Sequence, residues 1–211
     1  MKIAAVSQRI DFIRKRNEYR DSIDQRLIDF LTASDLLSAP VPNSLFEGGL
    51  LDDWLSRIQP TIIVLSGGNT IGEHRKRDLT EEILIDHAKE CKLPILGICR
   101  GMQMLGVWSG ARLGNREGHL RTRHEIFGVV KRESVNSFHR QCLSSVPDGF
   151  TVIGASADNS IEAIRHRKLP WEGWMWHPER ETDFYPEDIN RVRRLLDERH
   201  NSCRWEREED G

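Results

Sequence analysis

Apolar positions along the chain gather in short blocks separated by polar punctuation, and the blocks alternate in period. Ile3 to Val6 is a continuous apolar run that predicts a short buried strand. Asn17 to Leu31 carries Ile23, Leu27, Phe30 and Leu31 at helical spacing and predicts a helix. Pro40 and Pro42 mark a loop, and Leu50, Leu51, Trp54, Leu55 and Ile58 predict a second, shorter helix. Thr61 to Leu65 is continuous and β-branched, the pattern of a strand covered on both faces, and it ends at Ser66-Gly67-Gly68-Asn69. Residues 78–91 predict a helix, Pro94 to Ile98 another buried strand, and Met102 to Trp108 a helix directly after it.

This alternation to about residue 110 predicts an α/β fold, an open and mostly parallel sheet flanked by helices. The texture then changes. Between 125 and 164 short β-like runs, Phe127 to Val130 and Thr151 to Ile153 among them, are broken by Pro147-Asp148-Gly149 and Asp158-Asn159, so the second half should add short antiparallel strands. Pro186-Glu187-Asp188 opens a last helix, with proline near its first position and acids in its first turn; Ile189, Val192, Leu195 and Leu196 form its apolar face.

The chain has 211 residues, enough to bury a sizeable core, and no repeat or linker divides it. One domain over 1–203 with a charged, frayed tail over 204–211 is the expected organisation. Lys plus Arg is 31 and Asp plus Glu is 33, a net charge of −2, which argues against a dedicated nucleic-acid binder. No run approaches the length of a membrane span, and Met1 to Val6 is too short for a secretory signal, so no membrane partner and a cytoplasmic location are expected. Cys91, Cys99, Cys142 and Cys203 are widely spaced and do not resemble a disulfide framework.

Gly97-Ile98-Cys99-Arg100-Gly101 has the form of a nucleophile elbow with cysteine in place of serine. A strand turning sharply into a helix would hold the thiol at the helix N-terminus, where the dipole favours thiolate. The backbone N–H of Arg100 would face the same space as an oxyanion donor. The bland alternative is a buried structural cysteine beside packing glycines. A thiolate nucleophile needs a base, and Trp174-Met175-Trp176-His177-Pro178-Glu179 ends an apolar run on histidine, with Glu179 two residues on to orient the ring. Alone, such a histidine reads as a core residue; paired with Cys99 it reads as catalytic.

Gly-Ile-Cys-Arg-Gly-Met-Gln at 97–103 together with His-Pro-Glu at 177–179 resembles the class I glutamine amidotransferases. Leu65 to Asn69 resembles that family's oxyanion loop. Val135-Asn136-Ser137-Phe138-His139 with Gln141, and Ile161 to Ile164, resemble its γ-glutamyl hydrolase branch. The resemblance implies Cys99 as nucleophile, His177 as base, Glu179 orienting it, and the backbone N–H groups of Gly68 and Arg100 as the oxyanion hole. It implies Gln103, Asn136, Ser137, Phe138 and His139 as the residues that hold the glutamyl portion. One departure is visible: the family's usual glutamine two positions before the histidine is Met175 here.

Val6 to Arg9, Tyr19-Arg20-Asp21 and Arg77-Asp78 resemble the γ-glutamyl-CDP-amidate hydrolases of capsule phosphoramidate synthesis, which implies a nucleotide-linked small-molecule substrate. A diphosphate needs cations. His119, Arg121 and Arg123 lie in a basic stretch after the elbow helix, and Arg9 ends the first strand at the sheet edge where ligands bind. A solvated basic loop is the bland alternative for that stretch. A hydrolase of γ-glutamyl-aminobutyrate and a glutaminase subunit feeding ammonia to a synthase remain as alternatives. No cofactor is expected. No metal is expected either, because the spacing of His119, His124 and Cys142 fits no zinc pattern. The sequence leaves room for a homo-oligomer.

Overall fold

A computed structural model describes residues 1–209, with side chains through Glu198. In chain order the elements are β1 (Lys2–Ser7), β2 (Arg9–Ile13), β3 (Glu18–Ser22), α1 (Gln25–Ala33), β4 (Leu36–Val41), α2 (Leu50–Ile58), β5 (Ile62–Leu65), α3 (Arg75–Glu90), β6 (Ile95–Ile98) and α4 (Arg100–Trp108). The second half adds β7 (Leu113–Asn115), β8 (Leu120–Ile126), β9 (Arg132–Phe138), β10 (Gln141–Leu143), β11 (Phe150–Ala155), β12 (Ile161–His166), β13 (Trp171–Trp174) and α5 (Pro186–Glu209).

A seven-stranded sheet runs in the order β11-β12-β13-β6-β5-β1-β4. Its five strands from β13 to β4 are parallel, and β11 and β12 extend it antiparallel. The period of two splits each central strand between two cores. Ala4, Val6, Ile62, Val64, Leu96 and Ile98 pack with Leu27, Phe30 and Leu31 of α1 and Val192 and Leu196 of α5. Ala5, Ile63, Leu65 and Ile95 pack on the other face with Leu51 and Leu55 of α2, Leu84 and Ile85 of α3, and Met102 and Leu105 of α4. This is why β5 and β6 read as unbroken apolar runs. The open, mostly parallel sheet with helices on both faces and short antiparallel additions is the architecture the sequence predicts. Among the described residues no helix is long and apolar enough to cross a membrane.

Three local expectations need correction. The helix expected over 17–31 begins only at Gln25, capped by Asp24, whose side chain accepts from the Arg26 N–H; Glu18 to Ser22 instead pairs antiparallel with Arg9 to Ile13. Pro40 lies inside β4, which borders only β1 and forms the sheet edge, where a missing N–H costs no ladder bond. Phe127 to Val130 is the connection between β8 and β9, touching β11 through an isolated Phe127–Ala155 bridge, and the strands on either side are the more polar Leu120 to Ile126 and Arg132 to Phe138. The tail expected over 204–211 lies at the end of α5 and beyond it; its last two residues are outside those described.

Candidate active site

At the carboxyl end of β6 the chain turns into α4 within one residue. Cys99 sits at that turn with φ +52° and ψ −105°, a conformation a β-carbon strongly disfavours. The Cys99 N–H donates to Trp174 O (2.7 Å), so the residue still extends the β6–β13 ladder while its side chain leaves the strand. Gly101 makes the turn feasible. A β-carbon there would lie 2.0 Å from Leu65 O, inside the backbone of β5. Cys99 is 7% exposed and lines the cleft above it.

His177 follows β13, and a short 3₁₀ turn, Pro178–Arg180, carries Glu179 back beneath it. His177 Nδ1 and Glu179 Oε1 are 2.6 Å apart and both groups are buried. Burial works against a charged imidazole, but the attraction and hydrogen bond of the Cys99 sulfur and the Glu179 carboxylate outweigh it and push His177 up to about 9. The backbone of His177 is clamped by Asn136, whose Oδ1 accepts from His177 N–H (3.0 Å) and whose Nδ2 donates to His177 O (2.7 Å). Gly67 admits the ring to the opposite loop, since a β-carbon there would lie 2.7 Å from His177 Cε1. A thiol, a charged imidazole and a buried carboxylate in this order can deliver a sulfur nucleophile to a carbonyl carbon and a proton to a departing nitrogen.

The loop after β5 is held from behind. Arg77 of α3 is fully buried, and its guanidinium donates to Ser66 O (2.7 Å), Gly67 O (3.0 Å), Gly68 O and Asn69 Oδ1 (3.1 Å). With three successive carbonyls turned towards α3, the Gly68 backbone is fixed at φ +82° on the cleft side. Glu81 balances the charge: it accepts from Arg77 Nε (3.1 Å), from Ser7 Oγ (2.7 Å) and from Arg100. Burial opposes ionisation of Glu81, but Arg100 and Arg77 hold its carboxyl below the ordinary range. Arg100 also pairs with Asp78, so the elbow and the loop share one buried ionic support. Residue-by-residue reading passed over Arg77 and Glu81 as a support, although an i,i+4 charged pair on an apolar helix face was the available signal.

Two clefts of about 210 and 220 Å³ meet at His177, Gly68 and Arg180. One is lined by Cys99, Arg100, Gln103, Phe138 and His139, the other by Arg9, Asp11, Ser66 and Glu179. Gln103 donates to Gln141 O (2.8 Å), and Phe138 stands edge-on to His177 at 5.8 Å. The structure thus brings Cys99, His177, Glu179, Gly68, Arg100, Gln103, Phe138, His139 and Arg9 around one opening. It does not bring Asn136 or Ser137 to the cleft lining: Asn136 is spent on His177, and Ser137 Oγ donates to His119 O (2.6 Å). His119, Arg121 and Arg123 also lie away from both linings. His119 is buried against Asp158 and Glu162, while Arg123 bridges Ser134 and Glu181 (3.0 Å). Arg180, not singled out in the sequence, lies over the Phe138 ring at 4.6 Å and faces both clefts.

A parallel α/β sheet with a cysteine elbow facing a His–Glu pair is the arrangement of amidotransferase-type domains. Residues 18–189 match the glutamine amidotransferase class-I family, and the chain belongs to that family. It is 35% identical over 125 residues to a γ-glutamyl-CDP-amidate hydrolase of Campylobacter jejuni, covering 56% of this chain and 62% of that protein. It is 30% identical over 195 residues to the glutamine-hydrolysing GMP synthase of Streptococcus thermophilus, covering 86% of this chain but 34% of the synthase. The chain therefore spans less than two thirds of either relative. Among solved structures, a putative GMP synthase subunit from Thermoplasma acidophilum superposes with a TM-score of 0.69 at 20% identity, covering 97% of this chain and 98% of that one. A glutamine amidotransferase from Thermotoga maritima superposes with a TM-score of 0.64 at 17% identity, covering 95% and 91%.

Proposed function

We propose that this chain hydrolyses a γ-glutamyl C–N bond and releases glutamate, with Cys99 as nucleophile, His177 as acid and base, and Glu179 holding the imidazole. The observation that carries this reading is Cys99 in its strained turn against a His177 that keeps its proton to about pH 9. In the first half-reaction Cys99, its thiol proton already passed to His177, attacks the γ-carbonyl carbon as thiolate. The C–N bond breaks, the nitrogen leaves with a proton from His177, and a thioester remains. In the second, His177 takes a proton from water, the hydroxide attacks the thioester carbon, and glutamate departs as the thiolate reforms. The N–H groups of Gly68 and Arg100 receive the oxyanion in both halves. Gln103, Phe138 and His139 border the place of the glutamyl group.

The substrate we propose is γ-glutamyl-CDP-amidate, cleaved to CDP-amidate and glutamate in capsule phosphoramidate synthesis. Its support is the similarity to the Campylobacter hydrolase, together with two cations, Arg9 and Arg180, at the cleft where a diphosphate would lie. We place the reaction in the cytoplasm, where a thiol nucleophile stays reduced. A second reading, a glutaminase that passes ammonia to a synthase partner, is favoured by the longer match to GMP synthase. Glutamate release from γ-glutamyl-CDP-amidate, glutamine and γ-glutamyl-aminobutyrate, assayed in parallel, separates the two. The first should turn over at least ~100-fold faster in kcat/KM, a difference of about 2.7 kcal/mol. Equal or faster turnover of glutamine would move the assignment to the ammonia-supplying reading, and preference for γ-glutamyl-aminobutyrate would remove the nucleotide.

A further inference from the structure

The β8–β9 hairpin and β12 bring four side chains together beside the cleft: His119 just before β8, His124 within it, His139 just after β9 and Glu162 in β12. His119 Nδ1 lies 3.2 Å from Glu162 Oε1, His139 Nε2 lies 3.6 Å from the same oxygen, and His124 Nε2 lies 3.4 Å from Glu162 Oε2. His119, His139 and Glu162 are 5%, 4% and 0% exposed. All three of those nitrogens and both carboxylate oxygens have no hydrogen-bond partner among the described residues. Five buried polar atoms that face one another without a bond are costly in any folded protein.

The far sides of two rings are already committed. His119 Nε2 is 3.1 Å from Asp158 Oδ2, and His139 Nδ1 is 3.1 Å from Gln141 O. Both partners are acceptors, so each fixes the ring proton on the outer nitrogen. Asp158 is itself pinned by Ser156 Oγ (2.7 Å) and by the N–H and Oγ of Ser160 (3.1 and 3.0 Å). The inner nitrogens then present lone pairs towards a carboxylate. That arrangement repels unless ring protons or a metal cation lie between them, and imidazoles held by carboxylate or carbonyl partners are how metal-ligating histidines are oriented. Donors around a tetrahedral zinc at about 2.0–2.1 Å sit roughly 3.3 Å from one another. The separations of His119 and His139 from Glu162 Oε1 match that spacing, the ligand atoms of His119, His139 and Glu162 all lie within 4.8 Å, and His124 faces the second carboxylate oxygen. Imidazole and carboxylate donors suit zinc and its first-row neighbours better than calcium or magnesium.

We propose that His119, His124, His139 and Glu162 form a closed divalent transition-metal site, best filled by Zn²⁺. It would tie the β8–β9 hairpin, and with it Phe138 and His139 at the cleft, to β12 of the main sheet. The expectation of no metal rests on the spacing of His119, His124 and Cys142, a set that leaves out His139 and Glu162. The test uses the Cys99→Ala variant throughout, so that the Cys99–His177 pair cannot bind the metal. After dialysis against Zn²⁺, mass spectrometry should find about one equivalent per chain. The Co²⁺-loaded protein should show the intense visible band of a four-coordinate nitrogen and oxygen shell with no thiolate charge-transfer band. Asp158→Asn should weaken Zn²⁺ roughly 10–100-fold, and Glu162→Gln or His139→Asn by more. Less than about 0.1 equivalent without the Co²⁺ band, or unchanged affinity in both ligand variants, would overturn the site in favour of a buried imidazolium–carboxylate cluster. The Cys99→Ala readings decide this even if a ligand variant fails to fold.

Discussion

Cys99 occupies a backbone conformation that the residue would not choose, and its side chain is useful because of it. Positive φ lifts the thiol out of the sheet towards His177, and Gly101 removes the one β-carbon that would block the turn. Replacing Cys99 by alanine should therefore leave the fold intact by circular dichroism and lower glutamate release by roughly 10³-fold or more. Glu179→Gln keeps the shape but removes the charge beneath the imidazole, and kcat should fall by roughly 10²–10⁴-fold with little change in KM. The pH profile follows from the same pair. His177 has its value raised in the folded protein from 6.5 to about 9, so its stabilising interactions are fully present below 6.5 and are lost as pH rises through about 9. The proton donor for the leaving nitrogen is lost over the same range. A single-turnover acylation rate that declines between pH 8 and 10, with thermal stability declining alongside, is the expected result. A flat profile across that range would contradict it.

At the scale of elements, the elbow and the loop after β5 are separate segments supported by one ionic layer from α3. Arg77 holds the loop carbonyls, Arg100 belongs to the elbow helix, and Glu81 lies between them. Burial pulls the Arg77 guanidinium down to about 10 despite Glu81, a sign of how completely the pair is withdrawn from water. Arg77→Met would leave Glu81 short of one partner and free three carbonyls, so it should cost about 3 kcal/mol in urea unfolding and reduce kcat as the Gly68 N–H drifts. Arg77→Lys restores the charge without the forked donors. It should recover most of the stability and little of the rate, which distinguishes loop positioning from bulk destabilisation. Little of this layer was legible from the residues in order beyond the Arg77–Glu81 pair at i,i+4. The continuous apolar strands β5 and β6 were, and so was the elbow, because each is written in adjacent residues. The β2–β3 hairpin was not: Ile23, Leu27, Phe30 and Leu31 give true helical spacing only from Gln25 onward, and the preceding polar pairs are held by Asn69, whose amide bonds both backbone groups of Ile10 (2.8 and 3.0 Å). β8 was missed for a similar reason, since most of its residues face solvent and its partners are supplied by β9.

The whole molecule decides which cations stand at the clefts, and the basic stretch that composition points to is not among their lining residues. The basic run after α4 folds into β8, where Arg123 is spent on Ser134 and Glu181 and His119 turns inward. The cations of the cleft beside Glu179 come from three-dimensional neighbours: Arg9, which opens β2 rather than ending the first strand, and Arg180 from the turn below His177. Arg9 is already paired with Asp11 at 2.5 Å, but both groups are substantially exposed, so exchanging that carboxylate for a phosphate costs little. Arg180 is 3.9 Å from the Glu179 carboxylate and its guanidinium lies over the Phe138 ring at the cleft. A nucleotide diphosphate that used both should lose about 1.5–3 kcal/mol with each arginine removed, or roughly 10–100-fold in KM. Arg9→Ala and Arg180→Ala should therefore raise KM for γ-glutamyl-CDP-amidate by that factor and leave KM for glutamine nearly unchanged. Arg121→Ala with Arg123→Ala should alter neither. The opposite pattern, with the double variant selective against the nucleotide and the cleft arginines silent, would mean that the β8 hairpin reaches over the substrate and that the diphosphate binds outside the clefts.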